Sequence, residues 1–190
     1  YWCLKEDKMR LYAIVINNEI KDFPVKKSTI LAKGISVENI LYVDCYDYPK
    51  SSLDYTYKPN AIINNGLLNV TWDKIKTTLS SAFLNYLFTD KDDENKEYYL
   101  NILKCVYKRD IIEIFSEKIK QEKGFKDFDT LITYRTSLNV RYNLVASTAF
   151  SVYETIVKEL EHLLSGDADK IIEQDIINLF DKHKSLITDF

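Results

Sequence analysis

Proline is absent beyond Pro59, and after Gly66 only two glycines occur, Gly124 and Gly166. Proline removes a backbone donor and glycine costs chain entropy, so their scarcity lets helices run uninterrupted through the later two thirds of the chain. Histidine is limited to His162 and His183, and cysteine to Cys3, Cys45 and Cys105. An odd number of scattered cysteines, without CxxC or Cys/His spacing, argues against a disulfide framework and against a zinc site. Buried free thiols in a reducing compartment are the expectation. GxxxxGKS/T, GxGxxG, GxSxG and HExxH are all missing, and four glycines leave little to build a phosphate cradle. No apolar run approaches the roughly 18 residues that span a bilayer. No basic segment leads into an apolar one as a signal peptide would. The chain opens Tyr1-Trp2-Cys3 without an initiator Met, which suggests a fragment, a processed chain or part of something larger.

Charge of one sign is also lacking. Lys and Arg number 26 against 29 Asp and Glu, a net charge of −3. Only four of the basic residues are Arg: Arg10, Arg109, Arg135 and Arg141. A general nucleic-acid binder wants a basic excess, and bidentate phosphate recognition favours Arg. The richness in Lys, Ile, Asn and Tyr suggests an AT-rich genome, viral or bacterial. At 46% hydrophobic and 29% charged, the 190 residues suit a folded globular protein with a real core.

Residues 11–16 (LYAIVI) form a β-branched apolar run, followed by Asn17-Asn18 and a second run from Glu19 to Val25. Asn tolerates left-handed backbone, so the pair reads as a hairpin turn, with Pro24 at an edge or at the end of the second strand. Ile40 to Tyr46 is a third strand candidate. Residues 47–66, with Pro49, Pro59 and Asn64-Asn65-Gly66, read as loop and boundary. Beyond it, Thr71 reads as the N-cap of a helix carrying Trp72, Ile75, Leu79, Ala82, Phe83 and Tyr86 on one face. A second helix follows the acidic run 90–94. Asp110 with Glu113 has capping-box spacing and predicts a new helix ending near Gly124. Asp127 or Asp129 starts the longest helical stretch, to Leu164, with a break near Asn139. Its stripe of Leu138, Val145, Ala149, Val152, Ile156, Leu160 and Leu163, and the small-residue run 144–150, predict the central, most buried helix. A last helix follows Asp167 or Asp169, with Ile172, Ile176, Leu179, His183 and Leu186 on one face. The expected fold is therefore α+β and predominantly helical: a strand-rich head, 1–66, with about three antiparallel strands, on a bundle of five or six helices, 67–190.

Four groups of residues invite a chemical reading. Tyr42, Tyr46, Tyr48, Tyr55 and Tyr57 make an aromatic segment with only Lys50 and Lys58 interleaved. Such tyrosines pack a sheet, bind a protein partner at low entropy cost, or stack bases. Asp44 and Asp47, with Asp54, sit at the end of the third strand, where metal-dependent nucleases place ligands. The Glu-x-Lys such an enzyme wants occurs only at Glu94-Asn95-Lys96 and Glu6-Asp7-Lys8, and solvated charges at a sheet rim are the plainer reading. His162 reads as solvated on a polar face, and His183 as a structural histidine. The fourth group is Arg135 and Arg141, within Arg135-Thr136-Ser137-Leu138-Asn139-Val140-Arg141. Over those seven residues the chain resembles HEPN-type helical RNases, in which an Arg precedes a His on a helix. Arg141 and its neighbours stand where the imidazole would be, so the acid–base group is missing. The resemblance implies an inactive or RNA-binding relative; the residues alone read as a polar face with two exposed arginines. The layout as a whole is similar in outline to viral Bcl-2-like proteins.

Taken together, these features predict a non-enzymatic, intracellular and cytoplasmic protein–protein interaction or regulatory module without cofactor, whose partner is another protein or other domains of the same polypeptide. Function is expected to tolerate His162→Ala and His183→Ala. The alternatives are a nucleic-acid-binding or -processing subunit, degenerate HEPN-like or nuclease-like, and a structural domain of a multidomain enzyme.

Overall fold

The computed structural model describes residues 8–46, 48–89, 93–168 and 170–190. The fold is α+β and mostly helical, and the chain divides into two compact units between Thr77 and Thr78.

In the first unit, β1 (Lys8–Ile16) and β2 (Glu19–Val25) form the hairpin expected at Asn17-Asn18. Both asparagines have positive φ, 53° and 61°, the arrangement that matches the right-handed twist of two antiparallel strands. Pro24 sits on an edge, because β2 is the outer strand of a sheet ordered β2-β1-β3, where β3 is Ile40–Tyr46. Helix α1 (Lys27–Lys33) and a 3-10 turn (Val37–Asn39) connect β2 to β3.

The next two strands correct the sequence reading. Tyr55–Asn64 is β4 and Leu67–Lys76 is β5, a ten-residue antiparallel ladder closed by Asn65 and Gly66, with φ of 50° and 75°. Trp72 and Ile75 therefore lie in a strand, not on a helix begun by Thr71. Asn-Gly is the strongest two-residue hairpin turn, and Thr and Trp suit a pleated surface. The strand-bearing unit accordingly extends past 66 to Thr77. Ala61, Ile63 and Leu68 of this hairpin pack on Ala13, Val15, Leu41 and Val43, the alternate residues of one face of the three-stranded sheet. On the other face, Ile30 of α1 joins Ile14 and Val25, with Tyr12, Ile35 and Ile40 around them.

Among the described residues the second unit has five α-helices. Thr78 caps α2 (Leu79–Phe88): its hydroxyl accepts from the Ser81 N–H at 3.2 Å, and Ser81 Oγ accepts from the Thr78 N–H at 2.8 Å. Helix α3 runs unbroken over 28 residues, Asn95–Glu122. Asp110 does not start a helix: no proline or glycine interrupts this stretch, its amide is already held in the helical ladder, and its carboxylate takes the Arg109 guanidinium at 3.2 Å. Gly124, at φ 74°, ends α3 as anticipated. Asp127 caps the short α4 (Phe128–Thr133) by accepting from the Thr130 N–H at 2.7 Å, and a 3-10 turn (Tyr134–Thr136) follows.

The expected break comes at Asn139, which caps α5 (Val140–Leu164). Its side-chain oxygen accepts from the Tyr142 N–H at 3.2 Å. Replacing such a cap with Ala costs about 1 kcal/mol, so Asn139→Ala should lower the unfolding free energy by that amount in a denaturant titration. The last helix is α6 (Glu173–Thr188).

The central helix is α3 rather than α5. Tyr99, Leu103, Val106, Tyr107, Ile111, Phe115 and Ile119 are buried at steps of three and four along it. The buried stripe of α5 is Ala146, Ala149, Ile156, Leu160 and Leu164. Leu138 is fully exposed and Leu144 is 66% exposed, so of the small-residue run only Ala146 and Ala149 reach the core. Ile172, expected on the apolar face of the last helix, is also exposed, while Ile176, His183 and Ile187 are buried.

Candidate binding face and the buried polar network

Alternation along β1 and β3 sorts their side chains by face. Leu11, Ala13, Leu41 and Val43 turn to one side; Arg10, Tyr12, Tyr42, Asp44 and Tyr46 share the other. The cluster around Ile30 covers the Ile14–Ile40 end of this second face. The remainder is open: Tyr42 is 57% exposed and Tyr46 54% exposed.

Arg10 stands directly across from Asp44 in the ladder. Its Nε donates to Oδ1 at 2.7 Å and its Nη2 to Oδ2 at 3.0 Å, a two-point clamp that fixes the guanidinium plane. The guanidinium lies over the Tyr42 ring, 4.4 Å from its centre, and Tyr12 packs against the same ring at 6.1 Å. Lys8 Nζ comes within 3.7 Å of Asp44. The Arg10 hydrogen bonds hold the Asp44 carboxyl below the ordinary carboxylate range. Arg10, clamped along its edge by Asp44, and Tyr12 together hold the Tyr42 ring in a defined orientation. Arg10 is the member of this group that the sequence reading missed: it has no local motif, only a partner 34 residues away.

The other tyrosines of the segment are placed elsewhere. Tyr48 stacks on Trp72 with ring centres 6.4 Å apart, and Tyr55 lies under the Lys74 ammonium at 4.3 Å. Tyr57 is half-buried on the hairpin face that carries Ala61 and Ile63. Tyr48 and Tyr57 therefore pack within the first unit, whereas Tyr42, Tyr46 and Tyr55 are exposed.

Asp44 has both carboxylate oxygens engaged by Arg10, and among the described residues no second carboxylate is brought to it; Asp47 lies outside the described residues. Among the described residues no group of three or more His, Cys, Asp or Glu side chains is arranged to hold a metal ion. Cys105 is exposed, against the expectation of a buried thiol, and Cys45 is half-buried, its thiol pushed up mainly by burial. Cys3 is outside the described residues.

Arg135 and Arg141 do not share a helix. Arg135 belongs to the 3-10 turn and Arg141 to the first turn of α5. The Arg135 guanidinium stacks on Phe150 at 3.7 Å, and Arg141 points into solvent among the exposed Leu138, Val140 and Leu144.

The second unit also holds a buried polar network. His183 is fully buried; its Nε2 lies 2.8 Å from Glu159 Oε2 and its Nδ1 2.6 Å from the Tyr107 hydroxyl. A carboxylate only accepts, so Nε2 carries the proton toward Glu159 and Nδ1 accepts from Tyr107 O–H. That is the neutral imidazole. Burial, outweighing Glu159, holds the histidine below its ordinary range, and burial pushes the Tyr107 phenol up. Glu159 is held below its ordinary range by His183 and by Lys182, whose Nζ is 3.0 Å away. With Tyr107 and His183 both sealed, no substrate reaches them, and the network serves as a polar tie between α3, α5 and α6. His162 is exposed.

No helix among the described residues is long and apolar enough to cross a membrane. Compared with protein families, curated proteins and solved structures, the chain matches none.

Proposed function

We propose that this protein is a binding module that docks another protein on the open Arg10–Tyr42–Tyr46 face of its first unit, in a regulatory rather than catalytic role. The observation that carries this reading is the pair of half-exposed tyrosines on one face of one strand, with Asp44 between them and Tyr42 braced by a clamped arginine. Tyr and Arg are enriched at the energetic centres of protein interfaces: Tyr covers a large area with two torsions to freeze, and Arg10 is already held by Asp44. Asp44 offsets one of the two cations on this face, so the surface lacks the accumulated positive charge that phosphate binding uses. The free Cys45 and Cys105 suit the reducing interior of a cell.

Capture of the tagged chain from its source cells, with and without nuclease, tests the reading. A protein retained at near-equal stoichiometry after nuclease is the expected result. Recovery that collapses with nuclease would overturn it in favour of a nucleic-acid-binding subunit, and would direct attention to Arg135, Arg141 and Asp44.

A further inference from the structure

We propose that the pocket between α4 and α5 is a site for a free aromatic amino acid. The pocket encloses about 330 Å³, at the lower end of the range for small-molecule sites and enough for one ring-bearing molecule. Its walls are Ile112, Phe128, Ile132 and Phe150, with the ring of Tyr153 packed 5.3 Å from Phe128. An apolar cleft walled by aromatic rings favours an aromatic group, which stacks or meets ring edges there.

Two opposite charges flank it. Asp129 lines the pocket, and its carboxylate lies close enough to Tyr153 to add to the upward push that burial gives the phenol. The guanidinium carbon of Arg135, outside the lining itself, lies over Phe150, one of the walls, 3.7 Å from the ring centre. Stacking engages the face of a guanidinium and leaves its N–H edges free for a carboxylate. Among the described residues, neither Asp129 nor Arg135 is in an ion pair. A zwitterion with an aromatic side chain satisfies all three features at once: ammonium to Asp129, carboxylate to Arg135, ring between the walls. Thr133, whose hydroxyl donates to the Thr130 carbonyl at 2.6 Å, remains able to accept from the ammonium.

Calorimetric titration of the full chain with L-phenylalanine, phenethylamine and phenylpropionate tests this assignment. The last two lack the carboxylate and the amine respectively. Phenylalanine should bind saturably, and each fragment about tenfold or more weakly, as expected for loss of one charge-assisted contact. Asp129→Asn and Arg135→Gln replace exposed side chains, so the fold should persist, with each variant weakening phenylalanine about tenfold. No saturation up to about 10 mM, which is weaker than any useful site, would overturn the proposal. Equal binding of all three compounds, or unchanged binding in both variants, would overturn it as well, leaving only an apolar dent in the surface.

Discussion

His183→Ala should destabilise the second unit by about 3–4 kcal/mol, the sum of a cavity in a sealed core and a Tyr107 hydroxyl left without its acceptor. In a thermal melt this corresponds to a drop on the order of 10 °C for a unit of this size. The binding reading in its plain form expects function to tolerate this substitution. The geometry adds that His183→Ala lowers the stability of the second unit, while the exposed His162→Ala leaves that stability intact. Tyr107→Phe provides the graded comparison. It keeps the ring packed against Phe180 and removes only the hydroxyl, at a cost of about 1–2 kcal/mol. The network also sets a pH dependence. The folded imidazole sits below its ordinary value of 6.5 and is stabilising when neutral. Its contribution is complete above the unfolded value and is lost as pH falls through the lower, folded one. Glu159 stays ionised through that window, since its own value lies below 4.5. The melting temperature should therefore fall between about pH 7 and pH 5, and this slope should flatten in His183→Gln. A wild-type melting temperature that does not move over that range would mean that the buried imidazole is not neutral in the fold.

The second large effect concerns binding. Tyr42→Ala combined with Tyr46→Ala should weaken the captured protein partner about a hundredfold or more, the consequence of removing two interface anchors of at least about 1.4 kcal/mol each. Stability of the first unit should change by less than about 1 kcal/mol, because both side chains stand largely in solvent on an edge strand. Asp44→Ala probes the same face more gently. It releases the Arg10 clamp without removing a ring, and should weaken the partner less than the double substitution does. Circular dichroism, unchanged in both variants, separates these losses from misfolding.

Much of the fold is legible from local chemistry. The Asn17-Asn18 turn, Pro24 at an edge, the Gly124 stop and the Asn139 cap each act within a few residues, where steric and hydrogen-bonding preferences decide. The second hairpin was hidden although its Asn65-Gly66 turn is the stronger signal. Pro59 argues against a strand and the exposed Ile62 masks the alternation of β4, and Thr71, Trp72, Ile75 and Leu79 fall at helical spacing by coincidence. The capping-box spacing at Asp110 failed for a related reason: a cap competes only where the helix would otherwise end, and nothing between 95 and 122 ends it. Site residues were harder. Tyr42 and Tyr46 stand out by type and by alternation, but Arg10 becomes a neighbour only through strand pairing. The Tyr107–His183 contact joins residues 76 apart, and no spacing rule reaches that far. Asp129 reaches the pocket from α4, and Arg135 reaches one of its walls, Phe150, from the turn before α5, a geometry that helical periodicity does not encode.

The most direct test of the docking face is the dissociation constant of the purified partner, measured for the wild type, for Tyr42→Ala/Tyr46→Ala and for Arg135→Ala/Arg141→Ala. The account predicts a loss of about a hundredfold in the tyrosine variant, from the hot-spot energies above, and near wild-type binding in the arginine variant. Wild-type affinity in the tyrosine variant, with the loss confined to the arginine variant, would contradict it and move the binding surface to the second unit.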